Sequence, residues 1–513
     1  MINKATSTLH RRQVLQVLAA SLCLDTGRGF AQAHTTLTPQ AQAWRAMSRL
    51  GYGPSAAMVR VLQAAPNAQA WALQQVDAAF VACQQPPRIS SELADFNATL
   101  PGIFAGFKRE REARASRKAQ TAKDDGADQA KRMDFSSIHA PEHFSRLLVQ
   151  QTAAWQLGAC SQPDEENPLL ARMTEFWFNH FNVFSGKGPV RPFLGHYLVN
   201  VARAHALGKF EDLVLASARH PAMLFYLDQV QSVADGTQGR QGKSRGLNEN
   251  YARELMELHT LGVNGGYSQA DVRELARILT GWTVSPQDAT GFRFVPRLHD
   301  QGDKQVLGQR FPAAPARRGE LEGEDAIRML ARHPSTAKRV TLRLAQFFVA
   351  DQPSPELVQR LSQTFTATQG DLRAVMRTLL QSPDFWSADN RLFKTPMDYA
   401  CSALAATQGA NAAQLGPEKY RRNLVMTVGF LNNAGQPLHG WQTPDGYKFD
   451  AATWLVPEAL TRRADFALGL ARQTPELEFL APYLSQATRD AVGNEAPAMR
   501  AGLMLASPDF MYK

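Results

Sequence analysis

The chain has 513 residues, of which 44% are hydrophobic and 20% charged. That balance excludes a chain disordered throughout, a collagen-like repeat and a multi-span membrane protein. Four cysteines exclude a scaffold built on disulfides, and a net charge of +9 over this length is too dilute to argue for nucleic acid.

Residues 1–33 read as an export signal. His10-Arg11-Arg12 closes a basic start, and an apolar run from Val14 to Leu24 follows. Ala31-Gln32-Ala33 supplies the small residues of a cleavage site. The run is too short to span a bilayer, which needs roughly 20 residues. Paired arginines before a modest apolar run resemble a twin-arginine signal, although Val14 stands where Phe is preferred. The alternative is a general secretory signal with a basic start. The location expected is therefore periplasmic or secreted, with no transmembrane segment in the mature chain. Cys83, Cys160 and Cys401 would remain, an odd number with no local pairing and so no disulfide framework.

From residue 40 onward the apolar residues recur at helical spacing, and the fold class expected is all-α with long loops and at most a small hairpin. Ser268 with Asp271 forms a capping box ahead of Val272, Leu275, Ala276 and Leu279. His333-Pro334 starts a helix whose Val340, Leu344 and Phe347 share a face. Asp371 opens another, with Leu372, Val375, Met376, Leu379 and Leu380 as its stripe. Residues 291–295 are the best strand candidate. Two echoes stand out: His220-Pro221 with His333-Pro334, and the Ser-Pro-Asp-Phe runs at 382–385 and 507–510. Residues 108–132 carry nine Lys or Arg and five Asp or Glu, which reads as a solvated linker or exposed helix. Residues 232–246 and 284–325 look irregular. The organisation expected is an export signal at 1–33, an N-terminal helical segment at 34–107, a charged linker at 108–135 and a main helical domain at 136–513.

The familiar catalytic motifs are missing: there is no HExxH, CxxC or GxSxG. Residues 239–244 suggest a phosphate loop, but Thr237 stands where Gly is needed and no apolar strand precedes it. The most informative segment runs from Leu247 to Gly262. Asn248 is a good N-cap, Gly262 a good stop, and Tyr251, Leu255 and Leu258 form the stripe to be buried. Glu249, Arg253 and Glu257 make an ion-paired face, as any amphipathic helix can. Glu254 and Glu257, three apart beside that stripe, could instead hold a hard cation or act as acid and base. His259 lies on the far side of a regular helix, so it reaches Glu254 only if the helix loosens near its end.

His180 sits among Phe176, Trp177 and Phe181, either as a core histidine or as a ligand or base oriented by Glu175 and Asn179. His299-Asp300 lies in a loop, where a turn or a site residue is expected. The candidate catalytic residues are thus Glu254, Glu257, His180, His299 and Asp300. The candidate metal set is His180, Glu254 and His259, for a divalent metal. Glu254 cannot be buried unpaired, so the helix should face a cleft completed by 176–181 and 299–300.

These segments resemble a bacterial family known as domain of unknown function 1800. The resemblance is carried by FWFNHF at 176–181, HPAMLFYLD at 220–228, the stretch from Leu247 to Thr283, His299-Asp300, HPSTAKRV at 333–340 and PDGY at 444–447. It implies an exported protein, often encoded beside a secreted relative of alkaline phosphatases and sulfatases. Phe178 departs from the pattern, since many relatives carry His there. The function expected is a metal-assisted hydrolase acting on envelope or extracellular polymer. The alternative is a helical, non-catalytic binding or assembly partner of that co-secreted phosphatase- or sulfatase-like protein.

Overall fold

The computed structural model describes residues 37–121, 140–237, 246–313, 315, 318–408, 412–472 and 476–513. The expected export signal therefore lies outside the described residues. The fold is all-α, a multihelical body with two small antiparallel hairpins. No described helix is long and apolar enough to cross a membrane.

Local chemistry sets the helix ends. Ser268 and Asp271 close the capping box on Gln269–Ile278, and Asp371 accepts the Ala374 N–H to start Leu372–Gln381. Both His-Pro echoes are one device. His220 Nδ1 accepts the Ala222 N–H at 3.1 Å, His333 Nδ1 accepts that of Ser335 at 3.1 Å, and Pro takes the first helical position. The Ser-Pro-Asp-Phe echoes are a second device, each a Ser-capped single turn, Pro383–Trp386 and Pro508–Met511.

Strands β1 (Trp282–Val284) and β2 (Phe292–Phe294) pair as the expected hairpin. A second hairpin, β3 (Lys304–Val306) with β4 (Gln309–Phe311), follows it. It escaped the sequence reading because its short strands do not alternate. The charged stretch also differs in part. Residues 108–121 complete the helix Leu100–Thr121, and residues 122–135 lie outside the described residues. Glu110 on that helix is buried and accepts the Ser145 N–H at 3.1 Å.

Residues between Ala43 and Phe385 share one apolar core. A second core joins Tyr52, Leu157 and Cys160 to the helices Pro396–Gln408, Pro457–Ala471 and Pro497–Ala506. Cys160 and Cys401 form a disulfide across 241 residues of chain within this second core. This corrects the expectation of no disulfide framework: the partners are far apart in sequence, so spacing could not reveal them. Cys83 is buried and free. Closing so long a loop constrains the unfolded chain, so Cys160→Ser should cost about 2–5 kcal/mol in urea unfolding. An unchanged unfolding midpoint after full reduction would rule that contribution out.

Candidate functional site

The segment Leu247–Gly262 starts as the helix Asn250–Glu254 and continues as a π-helical turn, Leu255–His259. Asn248 Oδ1 accepts the Asn250 N–H at 3.0 Å, and Gly262 ends the segment at φ +90°. The wide turn breaks the regular helical spacing between Glu254 and His259. It buries Met256 and His259 with Leu255 and leaves Leu258 half-buried. Glu254 and Glu257 lie at its rim, both half-buried.

Glu254 forms no hydrogen bond or ion pair among the described residues. Burial raises its carboxyl above the usual range, and the charges of Glu257 and Asp445 add to this against Arg253. The Tyr226 hydroxyl is raised by burial and by the charges of the same Glu254 and Asp445, so the three lie within electrostatic reach of one another. Tyr226 donates to the Gln442 carbonyl at 2.7 Å. Glu257 accepts from Tyr267 Oη at 3.4 Å, and its charge supports Arg339 against the downward pull of burial. Arg339 in turn donates to the Leu258 carbonyl at 3.0 Å, tying the helix Pro334–Phe348 to the π turn.

Asp445 is delivered by a loop that the helix Pro168–His180 holds from behind. Asn179 makes a reciprocal pair with Tyr447: it donates to the Tyr447 carbonyl at 2.9 Å and accepts the Tyr447 N–H at 2.7 Å. Asn182 donates to the carbonyls of Trp441 and Thr443 at 3.1 and 2.8 Å. The carboxylate of Asp445 then accepts from Trp441 Nε1 at 2.9 Å and Thr443 Oγ1 at 2.5 Å. Gly446 is required beside it. Its φ is +72°, and a Cβ there would lie 2.2 Å from the Asn179 carbonyl oxygen.

Two expectations for this site need correction. The first concerns the histidines. His180 donates through Nε2 to the His259 carbonyl at 3.0 Å, and their rings lie 6.5 Å apart. Asn179 does not orient His180 but holds Tyr447, and Glu175 pairs with Arg172 and Tyr52. Burial, then Arg343 and Arg339, hold the His180 imidazole well below its usual range; burial and Arg339 take His259 to about 3. Both rings pack on Phe181. The set His180, Glu254 and His259 therefore does not form a metal site. Among the described residues no three His, Cys, Asp or Glu side chains converge as a metal ion would need.

The second correction concerns His299 and Asp300, which build a network of their own. His299 meets Thr280 through Nδ1, 3.0 Å from its carbonyl, and Glu322 through Nε2 at 3.0 Å. Asp300 takes a two-point contact from Arg277 at 2.8 and 3.0 Å, which outweighs burial and keeps its carboxyl low. Lys304 closes the cluster on Glu322 at 3.0 Å. These partners come from the helix Gln269–Ile278, the turn at Thr280, β3 and the helix Gly319–Arg332, so the polar atoms of the loop are met within that part of the fold.

A family model described as "Protein of unknown function (DUF1800)" matches residues 45–512. The chain belongs to this family. No curated protein and no solved structure matches it. Tyr226, Asp445 and Arg339 were missed as site residues when the sequence was read. Each nevertheless lies in a stretch that carries the family resemblance, 220–228, 444–447 and 333–340. Nothing in their spacing linked them, because they come from three separate elements. Phe178, at the position of the departure from the family pattern, packs edge-on against His439 with ring centres 4.8 Å apart.

Proposed function

We propose that the protein is an exported hydrolase that cleaves an envelope or extracellular polymer by carboxylate acid–base chemistry in the Glu254 cleft. The observation that carries this is the state of Glu254, an unpaired, half-buried carboxyl raised by burial, Glu257 and Asp445. A general acid must hold its proton near the working pH, and these influences act in that direction. Glu254 gives its proton to the departing oxygen, and Asp445 takes one from the attacking water. Tyr226 positions the substrate between them. A carboxylate pair suits glycosidic bonds, where one group acts as acid and the other as base or nucleophile. The Cys160–Cys401 disulfide supports export, because such bonds persist in oxidising compartments and are rare in the cytosol.

The test is Glu254→Gln, assayed against a panel of bacterial envelope and extracellular polysaccharides. Removing a general acid should reduce turnover by about 10²–10⁴-fold, with the melting temperature nearly unchanged. If stability falls first, the carboxylate is structural. Absence of turnover by the wild type on every polymer, with capture of a co-secreted phosphatase- or sulfatase-like protein, would favour the binding role instead.

A further inference from the structure

Beside Asp445 lies a pocket of about 250 Å³ lined by Arg343, Asp351, Lys448, Phe449 and Asp450. Its charged groups are unequally employed. Asp450 caps the next helix through the Thr453 N–H at 2.9 Å, and Asp445 accepts from Trp441 and Thr443. Asp351 accepts the Ala451 N–H at 2.9 Å through one oxygen only; its Oδ1 is buried and without a partner. Arg343 has no ion pair among the described residues, and its buried Nε is also without a partner. Burial, together with Arg339 one turn away, lowers its guanidinium to about 10, and Asp445 offsets only part of this. Its cation lies over the Phe449 ring at 5.6 Å. A buried donor and a buried acceptor, both unmet on residues that line one pocket, each cost stability until something supplies their complement.

We propose that this pocket is a subsite for one acidic sugar residue, a uronate, of the polymer cleaved next to it. The carboxylate of the ring pairs with Arg343 and with the exposed Lys448. A ring hydroxyl donates to Asp351 Oδ1. The other ligand classes fit less well. A phosphate brings nearly two negative charges against three carboxylates on the rim. An ammonium group brings three donors where a single acceptor is open. A neutral sugar leaves the guanidinium unmatched. The volume suits one ring, not an extended ligand.

The inference rests on reading the cleft as a polymer-cleaving site, and it can be tested apart from that reading. Calorimetric titration of the full chain should show a glucuronate-containing oligosaccharide binding at least tenfold more tightly than its neutral glucose counterpart. Arg343→Gln should abolish that preference. Asp351→Asn, which keeps an acceptor for Ala451, should weaken the acidic oligosaccharide several-fold and leave the weak binding of acetate unchanged. Equal binding of acidic and neutral oligosaccharides, an unaffected Arg343→Gln variant, or tighter binding of inorganic phosphate than of glucuronate would each overturn the subsite. Tight glucuronate binding without cleavage would count against the hydrolase reading alone. Cleavage of a neutral polymer with no acidic preference would count against the subsite alone.

Discussion

Replacing Arg172 with methionine should lower the stability of the protein by about 3–5 kcal/mol. The guanidinium is fully buried and bridges two carboxylates, Asp398 and, at 3.0 Å, Glu175. Lys513 meets Asp398 from the other side at 2.5 Å, and Tyr52 donates to Glu175 at 2.6 Å. The guanidinium also lies between the rings of Tyr52 and Phe347, at 4.6 and 4.2 Å. Burial alone would push the Asp398 carboxyl up, yet Arg172 and Lys513 hold it well below its usual range. Methionine fills similar space but leaves two carboxylates sharing one lysine in a dry interior. Neutralising one of them is then less costly than keeping both charged. Urea unfolding at pH 7 measures the effect, and a loss below about 1 kcal/mol would show that the cluster is worth no more than a surface pair.

The second large effect is acid sensitivity above the range of ordinary carboxylate titration. His180, His220, His259 and His439 are all buried, and burial is the leading cause that lowers each of them; His259 and His439 fall to about 3. In the native state they stay neutral, while the same residues in the unfolded chain take up protons below pH about 6.5. The stability they contribute is complete above that pH and is lost as pH falls toward the native values. At pH 5 each would cost up to about 2 kcal/mol, so four together approach the whole stability of a typical domain. Glu175 and Glu254 act in the opposite direction. Burial raises both, so they bind protons in the native state first and offset part of the loss. The expected outcome is a steep fall of the urea midpoint between pH 6.5 and 5. A midpoint that stays flat to pH 5 would mean that the imidazoles ionise in place, through water or local opening.

Much of the architecture was legible because it is written in local chemistry. The Ser268–Asp271 box, the Asp371 cap and the His-Pro starts depend on groups within four residues of one another, and the structure forms each of them. Helical periodicity likewise gave the all-α class, because a stripe at period 3.6 has only one way to be buried. The stretch Leu247–Gly262 announced Glu254 and Glu257, since adjacent carboxylates beside an apolar stripe need a wet or paired environment. The sequence also indicated that His259 reaches Glu254 only if the helix loosens; the π turn loosens it, yet His259 packs with His180 and Phe181.

Tertiary structure decided the rest. Asp445 and Tyr226 come within reach of Glu254's charge only because separate segments fold together, and no spacing rule connects residues 191 and 28 positions from it. The same holds for the Cys160–Cys401 bond and for Arg172 with Asp398, whose partners are 241 and 226 positions away. His299 and Asp300 show the same dependence: a loop His-Asp pair has the composition of a site, but Arg277 meets the Asp300 carboxylate and Glu322, paired with Lys304, meets the His299 ring. Composition can propose that a polar group is available, whereas only the packed neighbours determine whether its hydrogen bonds are already spent. At Glu254, Arg343 and Asp351 they are not, and that property belongs to the fold, not to any one stretch of sequence.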